Sequence, residues 1–180
     1  MKFCELLEDE LEPFFDYLEG QIRDNGVGDT PYFMPFSSSI NVLDERVKRS
    51  FSSGICVSLN HRQWRKCWVV KNDCGSIVGH IDLRHYAEEH HSHRVLLGMG
   101  VDKVMRGRGL GFELISIARD FCCKNNQIEW LDLNVLGGNL PAISLYNKSG
   151  FKQIGKIDDF YRIDGRSIAE LTMTMSTHKQ

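Results

Sequence analysis

The amino-acid sequence predicts an α/β fold with one mixed, mostly antiparallel sheet flanked by helices. Apolar residues recur every three to four positions in some stretches and every second position in others, so helices and strands are both expected. Strands follow one another in the middle of the chain, whereas strand and helix alternate later, which is typical of a mixed sheet. The 180 residues contain no repeat or linker, and they suit one domain over 1–180.

The first part of the chain is predicted to be mainly helical, with one long loop. Leu11, Phe14, Leu18 and Ile22 recur at helical spacing. The stretch NGVGDTPYFMPFSSS holds two glycines and two prolines, which indicate a loop. The expected elements are a strand at 2–7, a helix at 8–24, a loop at 25–39 and a helix at 39–52 capped by Ser38 or Ser39.

The middle of the chain changes to a strand pattern. Asn72-Asp73-Cys74-Gly75 indicates a hairpin turn between two of these strands. The last strand, RVLLGMGV, contains two glycines, and strand glycines often mark a bulge or a close backbone approach. The expected elements are strands at 54–59, 64–71, 76–84 and 94–101, with a polar loop at 85–93.

The last third of the chain alternates helix and strand and then closes with a hairpin. Asp164-Gly165 supplies the turn of that hairpin. The expected elements are a helix at 109–125, a strand at 128–135, a helix at 139–149 and two strands at 152–163 and 167–175. Together with the preceding strands they complete the mixed sheet.

Composition argues against several classes of function. The formal net charge is −2 and the sequence pI is about 6.4, so neither nucleic acid nor an anionic membrane is an expected partner. The N-terminal segment MKFCELLEDE is acidic, unlike a signal peptide. Six cysteines without a CxxC spacing indicate reduced, structural thiols. We therefore expect a cytoplasmic protein.

The segment RGRGLG, residues 106–111, points to an anion site. It joins an apolar strand to a helix, and the free N–H groups at a helix start attract anions such as phosphates. Gly109 and Gly111 would let a pyrophosphate approach the backbone, and Arg106 and Arg108 add positive charge. No Gly-Lys-Ser/Thr follows, so this is not a Walker loop, and the GxGxxG spacing of a dinucleotide fold is also missing.

A second segment downstream, NLPAISLYNKSGF at 139–151, makes the pair specific. Together the two segments resemble the GCN5-related N-acetyltransferase (GNAT) family, whose motifs are Arg/Gln-x-x-Gly-x-Gly/Ala and Asn-x-x-Ala-x-x-Leu-Tyr-x-x-x-Gly-Phe. The matching residues are Arg106, Gly109, Gly111, Asn139, Ala142, Leu145, Tyr146, Gly150 and Phe151. The resemblance is firm over 76–175 and looser over 1–75.

The resemblance implies acetyl-CoA as co-substrate and no metal. In the family, the strand before the loop is bulged and splays from the next strand, so that its free backbone groups bind the pantetheine. The cofactor half would be about 76–150, with acceptor-side elements at about 1–60 and 155–175. The implied cofactor-binding residues are Met99, Gly100, Val101, Arg106, Gly107, Arg108, Gly109, Leu110, Gly111, Asn139 and Tyr146.

The implied chemistry is direct attack of a primary amine on the thioester in a ternary complex. The Val101 N–H would meet the developing oxyanion, and Tyr146 would protonate the leaving thiolate. The alternative for Tyr146 is a packing role in the core. Asn139 would bond the pantetheine, cap its helix, or do both.

The general base is where this sequence departs from the family. One branch carries a glutamate at the position matching Val95, and another carries one at the position matching Asn134. Asn134 cannot take a proton, but it can orient a water that does. Asp132 shares the face of Asn134 by period-2 alternation, and His93 shares the face of Val95 and carries an imidazole, a common general base. Either could act, so the base is left unassigned.

The aromatic residues of the loop at 25–39 and the histidines of the loop at 85–93 are further candidates for a functional role. Tyr32, Phe33 and Phe36 on the loop at 25–39 are expected to wall the acceptor site, from the side opposite the cofactor; the alternative is simple core packing. The histidines of 85–93 could ligate zinc only if the loop gathers them, and no cysteine lies near them in the sequence, so no metal site is expected.

The leading function is therefore an acetyl-CoA-dependent N-acetyltransferase that acts on a primary amine of a small molecule or a protein. The alternative is a catalytically weak or inactive coenzyme A-binding sensor or partner-binding module, because both family carboxylates are missing. Tyr146 favours the enzyme, since a pure binder has no use for an acidic hydroxyl near the sulfur. A longer acyl donor and a homodimer are both compatible with the sequence.

Overall fold

The computed structural model describes residues 1–88 and 90–177. Its centre is a seven-stranded sheet in the order β1-β2-β3-β4-β5-β7-β6, in which only β4 and β5 are parallel. The strands are β1 (Lys2–Glu5), β2 (Arg65–Lys71), β3 (Ile77–His85), β4 (Arg94–Val101), β5 (Trp130–Leu136), β6 (Lys152–Ile163) and β7 (Arg166–Ser176). The helices are α1 (Leu11–Asp24), α2 (Glu45–Gly54), α3 (Leu110–Lys124) and α4 (Leu140–Lys148). The predicted mixed, mostly antiparallel class is confirmed.

Helices cover the two faces of the sheet in pairs. On one face, Leu114 and Ala118 of α3 are fully buried in a cluster with Ile81 and Leu131. On the other face, the apolar side of α1 packs with α2 against β2, and Phe14 is fully buried there. Burial of these apolar side chains is the main force that orders the helices, at about 25 cal/mol per Å² of apolar surface.

The helix predicted at 39–52 begins later than expected. Asp44 caps it through a hydrogen bond from the Arg46 backbone N–H to Oδ1 at 2.7 Å, so neither Ser38 nor Ser39 is the cap. Ser38 instead bonds the distant Asp164 through both its backbone N–H and its hydroxyl. Serine is a favourable N-cap residue in general, but in this fold Ser38 is hydrogen-bonded to Asp164 and does not cap the helix.

The strand predicted at 54–59 does not form. The chain turns there, and Val57 and Leu59 pack against the core from an irregular segment. The edge of β2 that faces away from β3 is already paired with β1, from Lys2↔Lys71 to Glu5↔Trp68. Residues 54–59 therefore cannot pair with this edge of β2. A short apolar run in a sequence does not by itself distinguish a strand from a packed loop.

Candidate functional site

The parallel strands β4 and β5 separate partway along their length. They pair only at Arg94↔Trp130, Val95↔Leu131 and Leu96↔Asp132, although β4 continues to Val101. The splayed pair expected from the sequence is therefore present. The expected bulge is not, since the register of β4 against β3 runs without a shift from His85↔Val95 to Gly79↔Val101.

The space between β4 and β5 beyond Leu96 is called the gap. The splayed part of β4 turns free backbone N–H and C=O groups toward this gap. The Asp102 N–H donates to the Val78 carbonyl at 2.9 Å, so this pair is hydrogen-bonded. Hydrogen-bonded and non-bonded pairs alternate along an antiparallel ladder, so Met99 and Val101 point their N–H and C=O groups away from β3. The Val101 carbonyl accepts a hydrogen bond from Nε of Arg106 at 3.0 Å, and the two N–H groups stay open toward the gap.

Helix α3 begins beside the end of β4 with an uncapped N-terminus. Gly109 occupies the N-cap position at φ +85°, a backbone conformation that favours glycine, and no side chain caps the helix. Its carbonyl accepts from the N–H groups of Phe112 and Glu113 at 3.0 and 3.2 Å. The N–H groups of Leu110 and Gly111 precede any intrahelical acceptor, so they and the helix dipole are available for an anion.

Gly109 and Gly111 are each required to be glycine for a different structural reason. A Cβ on Gly109 would meet nothing within 4 Å, so that position opens onto free space. A Cβ on Gly111 would lie 2.7 Å from Cδ2 of Leu145 and 3.4 Å from Cε of Met99. Gly111 therefore lets α3 pack closely on α4 and β4, and Leu110 is buried at the same junction. Arg106, Gly107 and Arg108 are exposed.

Helix α4 carries Asn139 at its start and Tyr146 near its end. Asn139 Oδ1 accepts from the Ala142 N–H at 3.4 Å, which is the capping role expected from the sequence. The Tyr146 ring is 8% exposed and lies edge-on to Phe151 at 5.8 Å. Burial raises the pKa of Tyr146 well above its ordinary value, so the phenol stays protonated. Its hydroxyl forms no hydrogen bond with the described residues.

Asp132 is the most heavily bonded carboxylate near the gap. Arg94 donates to both oxygens, from Nε at 2.7 Å and Nη2 at 2.6 Å, and Thr174 and Tyr86 donate at 2.5 and 3.0 Å. Burial by itself would raise the pKa of Asp132, but these hydrogen bonds outweigh it and the pKa is lowered. This carboxylate is well placed to hold β4, β5 and β7 together and poorly suited to take up a proton.

The other positions considered for the base differ in exposure. Asn134 shares the face of Asp132 and is exposed. Val95 is fully buried, so the first of the two family positions is closed to solvent. His93 is exposed before β4 begins, at the end of the strand where β4 and β5 are paired rather than splayed.

Replacement of Asp132 by asparagine is expected to lower the free energy of unfolding by about 2–3 kcal/mol at pH 7, because Arg94 loses its charged partner. The side chain of Arg94 is 25% exposed, which limits the loss. A carboxyl with a lowered pKa stabilises above its ordinary pKa and loses that contribution as the pH falls. Urea unfolding of the wild-type and Asp132→Asn proteins from pH 7 down to about pH 3 should therefore show the difference between their free energies of unfolding becoming smaller. An equal difference at every pH would contradict this role.

The loop at 25–39 is organised by two polar side chains. Asn25 is fully buried; its Oδ1 accepts from the N–H groups of Phe33 and Met34 at 2.8 and 3.0 Å, and its Nδ2 donates to the carbonyls of Met34 and Phe36. Asp164, in the turn between β6 and β7, accepts from the Tyr32 hydroxyl at 2.7 Å. It also accepts from two serines of the same loop. The loop is thus fixed to α1 at one side and to the β6–β7 hairpin at the other.

The three aromatic residues expected to wall the acceptor site do not share one environment. The guanidinium of Arg106 lies 5.4 Å from the Phe33 ring centroid, so Phe33 lies beside the glycine loop. Tyr32 lies at the β6–β7 hairpin with Arg166 over its ring at 5.8 Å. Phe36 is partly buried. The loop therefore connects the glycine loop to the hairpin.

Sequence reasoning missed the polar residues of β3 that lie over β4. A Cβ on Gly98 would lie 2.6 Å from Oδ1 of Asp82, and a Cβ on Gly100 would lie 3.1 Å from Cε1 of His80. The two strand glycines thus make room for polar side chains. Burial lowers the pKa of His80 to about 4, so this imidazole is neutral at pH 7. The alternation of His80, Asp82 and Arg84 within HIDLRH could have revealed this set.

The histidine-rich stretch lies at a separate cavity. A cavity of about 630 Å³ is lined by His85, Tyr86, His90 and His91 together with residues from the segment before β2. In residues 1–88 and 90–177, no three histidine, cysteine or acidic side chains come together as a metal site. In the same part of the chain, no helix is long and apolar enough to cross a membrane.

The gap, the open helix start and α4 all fall in a region that matches a known protein family. The family is described as the acetyltransferase (GNAT) family, and the match covers residues 36–151. The chain belongs to the GNAT family. The resemblance drawn from RGRGLG and NLPAISLYNKSGF is thereby confirmed, and this GNAT domain carries both segments at the splayed strands.

Individual relatives agree with this assignment. The chain is 30% identical over 78 residues to L-amino acid N-acetyltransferase AaaT of Escherichia coli (strain K12), a match covering 43% of this chain and 48% of that protein. The GNAT chain thus spans about half the length of this curated relative.

Two solved structures share the fold over nearly the whole chain. A putative phosphinothricin N-acetyltransferase has a TM-score of 0.80 at 18% identity, with 99% of each chain covered. The putative acetyltransferase yncA from Salmonella typhimurium, solved with its cofactor acetyl-CoA, has a TM-score of 0.80 at 13% identity, covering 100% of this chain and 95% of that one. At these identities the likeness shows the fold.

Proposed function

We propose that this GNAT protein is an N-acetyltransferase that transfers the acetyl group of acetyl-CoA to a primary amine in a ternary complex. The observation that carries the proposal is the gap between β4 and β5, where the free N–H groups of Met99 and Val101 lie next to the open start of α3. An extended cofactor with a phosphate end and an amide-bearing arm fits both features, because helix starts bind phosphates and strand edges bind amides.

The proposed cofactor path runs along the splayed strand. The pyrophosphate lies on the N–H groups of Leu110 and Gly111 with Arg106 and Arg108 nearby, and the pantetheine follows β4 from Val101 toward Met99. Gly107 and Gly109 leave the loop open to the phosphates, while Gly100, Gly111 and Asn139 support the site through packing and capping. The solved Salmonella relative carries acetyl-CoA, which supports use of this cofactor.

The proposed reaction needs an uncharged amine, a polarised carbonyl and a proton for the leaving sulfur. The Val101 N–H donates to the oxyanion that forms when the amine attacks. Tyr146 donates to the sulfur as the C–S bond breaks; its own pKa is raised, but an apolar gap raises that of the thiol as well. Water held by the exposed Asn134 takes the proton from the amine, and Asp132 keeps Arg94 and the strand in place.

The acceptor side is proposed to comprise about 1–60 and 155–175, with the cofactor in 76–150. Tyr32, Phe33 and Phe36 belong to the acceptor side, and the fixed loop that carries them supports this placement because it joins the glycine loop to the β6–β7 hairpin. The six free cysteines support a cytoplasmic location, which cell fractionation would test. No metal enters the proposed chemistry.

The experiment that tests the function is a screen of primary amines, peptides and aminoglycosides with acetyl-CoA, in which release of the free coenzyme A thiol is measured. Acetylation of an amine, confirmed by mass spectrometry of the product, supports the proposal. If acetyl-CoA binds and no acceptor releases thiol above the rate without protein, the chain is a coenzyme A-binding module instead.

Replacement of Phe33 by alanine is expected to raise the acceptor KM roughly tenfold, which corresponds to losing about 1.4 kcal/mol of contact with an aromatic ring. The turnover number should change little, because a phenyl ring neither donates nor takes up a proton in the proposed reaction. Steady-state kinetics at saturating acetyl-CoA gives both quantities. An unchanged KM together with a lower melting temperature would show that Phe33 only packs.

A further inference from the structure

The floor of the groove over β4 is formed by a glycine and by side chains of the neighbouring strand. At Gly98, a Cβ would lie 2.6 Å from Oδ1 of Asp82 and 3.1 Å from Nη1 of Arg84. The polar ends of Asp82 and Arg84 therefore lie over β4. Gly98 is just beyond Leu96, the last residue at which β4 pairs with β5. Any other residue at position 98 would displace them.

Arg84 shares its carboxylate partner with a second arginine. Arg94 is bound by both oxygens of Asp132. Asp82 accepts on Oδ2 from Arg65 at 2.9 Å and from Arg84 at 3.2 Å. Asp82 thus serves two guanidinium groups, whereas Arg94 has a carboxylate of its own.

Of the two guanidinium groups that share Asp82, that of Arg84 is the more exposed to solvent. Arg65 is almost buried, with its guanidinium carbon 3.9 Å from the Phe51 ring centroid and a hydrogen bond to Ser50. The Arg84 side chain is 36% exposed, and its single hydrogen bond with the described residues is the one to Asp82. A guanidinium has five N–H donors, so most of this fork remains open to a ligand.

We propose that Arg84 binds the carboxylate of the acceptor, and that the acceptor is an α-amino acid. This inference rests on the proposed acetyl transfer. A guanidinium matches a carboxylate in a bidentate, charge-assisted geometry. An α-amino acid carries its amine one carbon from the carboxylate, so an anion held over Gly98 brings the amine to the opening between β4 and β5. The amine of a protein N-terminus has no carboxylate at that distance.

The first test compares each L-amino acid with its amide, using acetyl-CoA and thiol release. The amide keeps the size and shape of the acid and removes its negative charge. The amine of the amide is the less basic of the two, so a preference for the acid cannot come from easier deprotonation. We expect kcat/KM to favour the best acid over its amide by about tenfold to a hundredfold. Equal rates, or a preference for the amide, would overturn the inference.

The second test is Arg84→Gln in the same assay. The variant should raise KM for the acid by about tenfold to a hundredfold and leave KM for the amide and the acetyl-CoA affinity unchanged. Arg119→Gln, on the exposed side of α3, is the matched control, and neither substrate should respond to it. Equal KM increases for acid and amide would mean that Arg84 only supports Asp82, and would overturn the inference.

The two proposals fail in different ways. If amines are acetylated without regard to a neighbouring carboxylate, the acetyltransferase stands and the role of Arg84 falls. If neither acids nor amides release thiol but another amine of the screen does, the acetyltransferase again stands and the inference falls. If acetyl-CoA binds and no amine at all releases thiol, the proposed function falls and the inference falls with it. Melting temperature and acetyl-CoA titration of Arg84→Gln show that a kinetic loss does not come from unfolding.

Discussion

Replacement of Tyr146 by phenylalanine is expected to lower kcat by about 10²–10⁴-fold, which is the usual contribution of a positioned general acid. The ring is buried against Phe151, so the variant keeps the packing and loses the hydroxyl alone. A free thiol has a pKa of about 8.5, and its anion is a poorer leaving group in an apolar gap than in water. The loss should therefore appear in the chemical step.

The measurement is steady-state kinetics with an acceptor found in the screen, together with calorimetric titration of acetyl-CoA. Affinity for acetyl-CoA should stay within a factor of two or so, since the hydroxyl acts only as the bond breaks. Tyr161→Phe is the control for kcat alone: it removes a hydroxyl bound to Glu170 at 2.7 Å on the proposed acceptor side, where it can change the acceptor KM but supplies no proton to the sulfur. A fall in kcat below about threefold would show that water protonates the sulfur and that Tyr146 is a packing residue.

Replacement of Gly109 by aspartate is expected to weaken acetyl-CoA binding by about a hundredfold or more. A new carboxylate at the start of α3 would face the pyrophosphate, and like charges in contact cost several kcal/mol. The position is open, with nothing within 4 Å of an added Cβ, so the side chain would occupy the space proposed for the cofactor. Calorimetric titration with acetyl-CoA measures the loss directly.

The backbone of Gly109 requires a control for strain, because its φ of +85° is unfavourable for other residues. Gly75 in the β2–β3 turn has φ +84° and equally open surroundings, so Gly75→Asp introduces the same strain and the same charge away from the start of α3. Both variants should lose similar stability, and only Gly109→Asp should lose affinity. Unchanged affinity in Gly109→Asp would mean that the phosphates bind elsewhere.

Local patterns predicted most of the secondary structure. The strand RVLLGMGV was expected at 94–101 and is found as Arg94–Val101, and the closing hairpin turns at Asp164-Gly165 as expected. These segments have a strong period and a clear turn residue, so neighbouring residues suffice to define them. The segment at 54–59 has an apolar run without a partner strand, and its conformation depends on β1 occupying the edge of β2.

The sequence by itself determined the family and the two segments that line the gap, because RGRGLG and NLPAISLYNKSGF are contiguous motifs whose spacing can be read along the chain. Only the tertiary structure decided the surroundings of the remaining polar residues. Asp132 is bound by Arg94 and Thr174 at sequence separations of 38 and 42 residues, and Tyr32 reaches Asp164 across 132 residues. A carboxylate has the same chemistry in any sequence, and its charge, proton affinity and exposure follow from the groups that folding brings to it. For the same reason the open guanidinium of Arg84 over Gly98 became visible only once β3 lay beside β4.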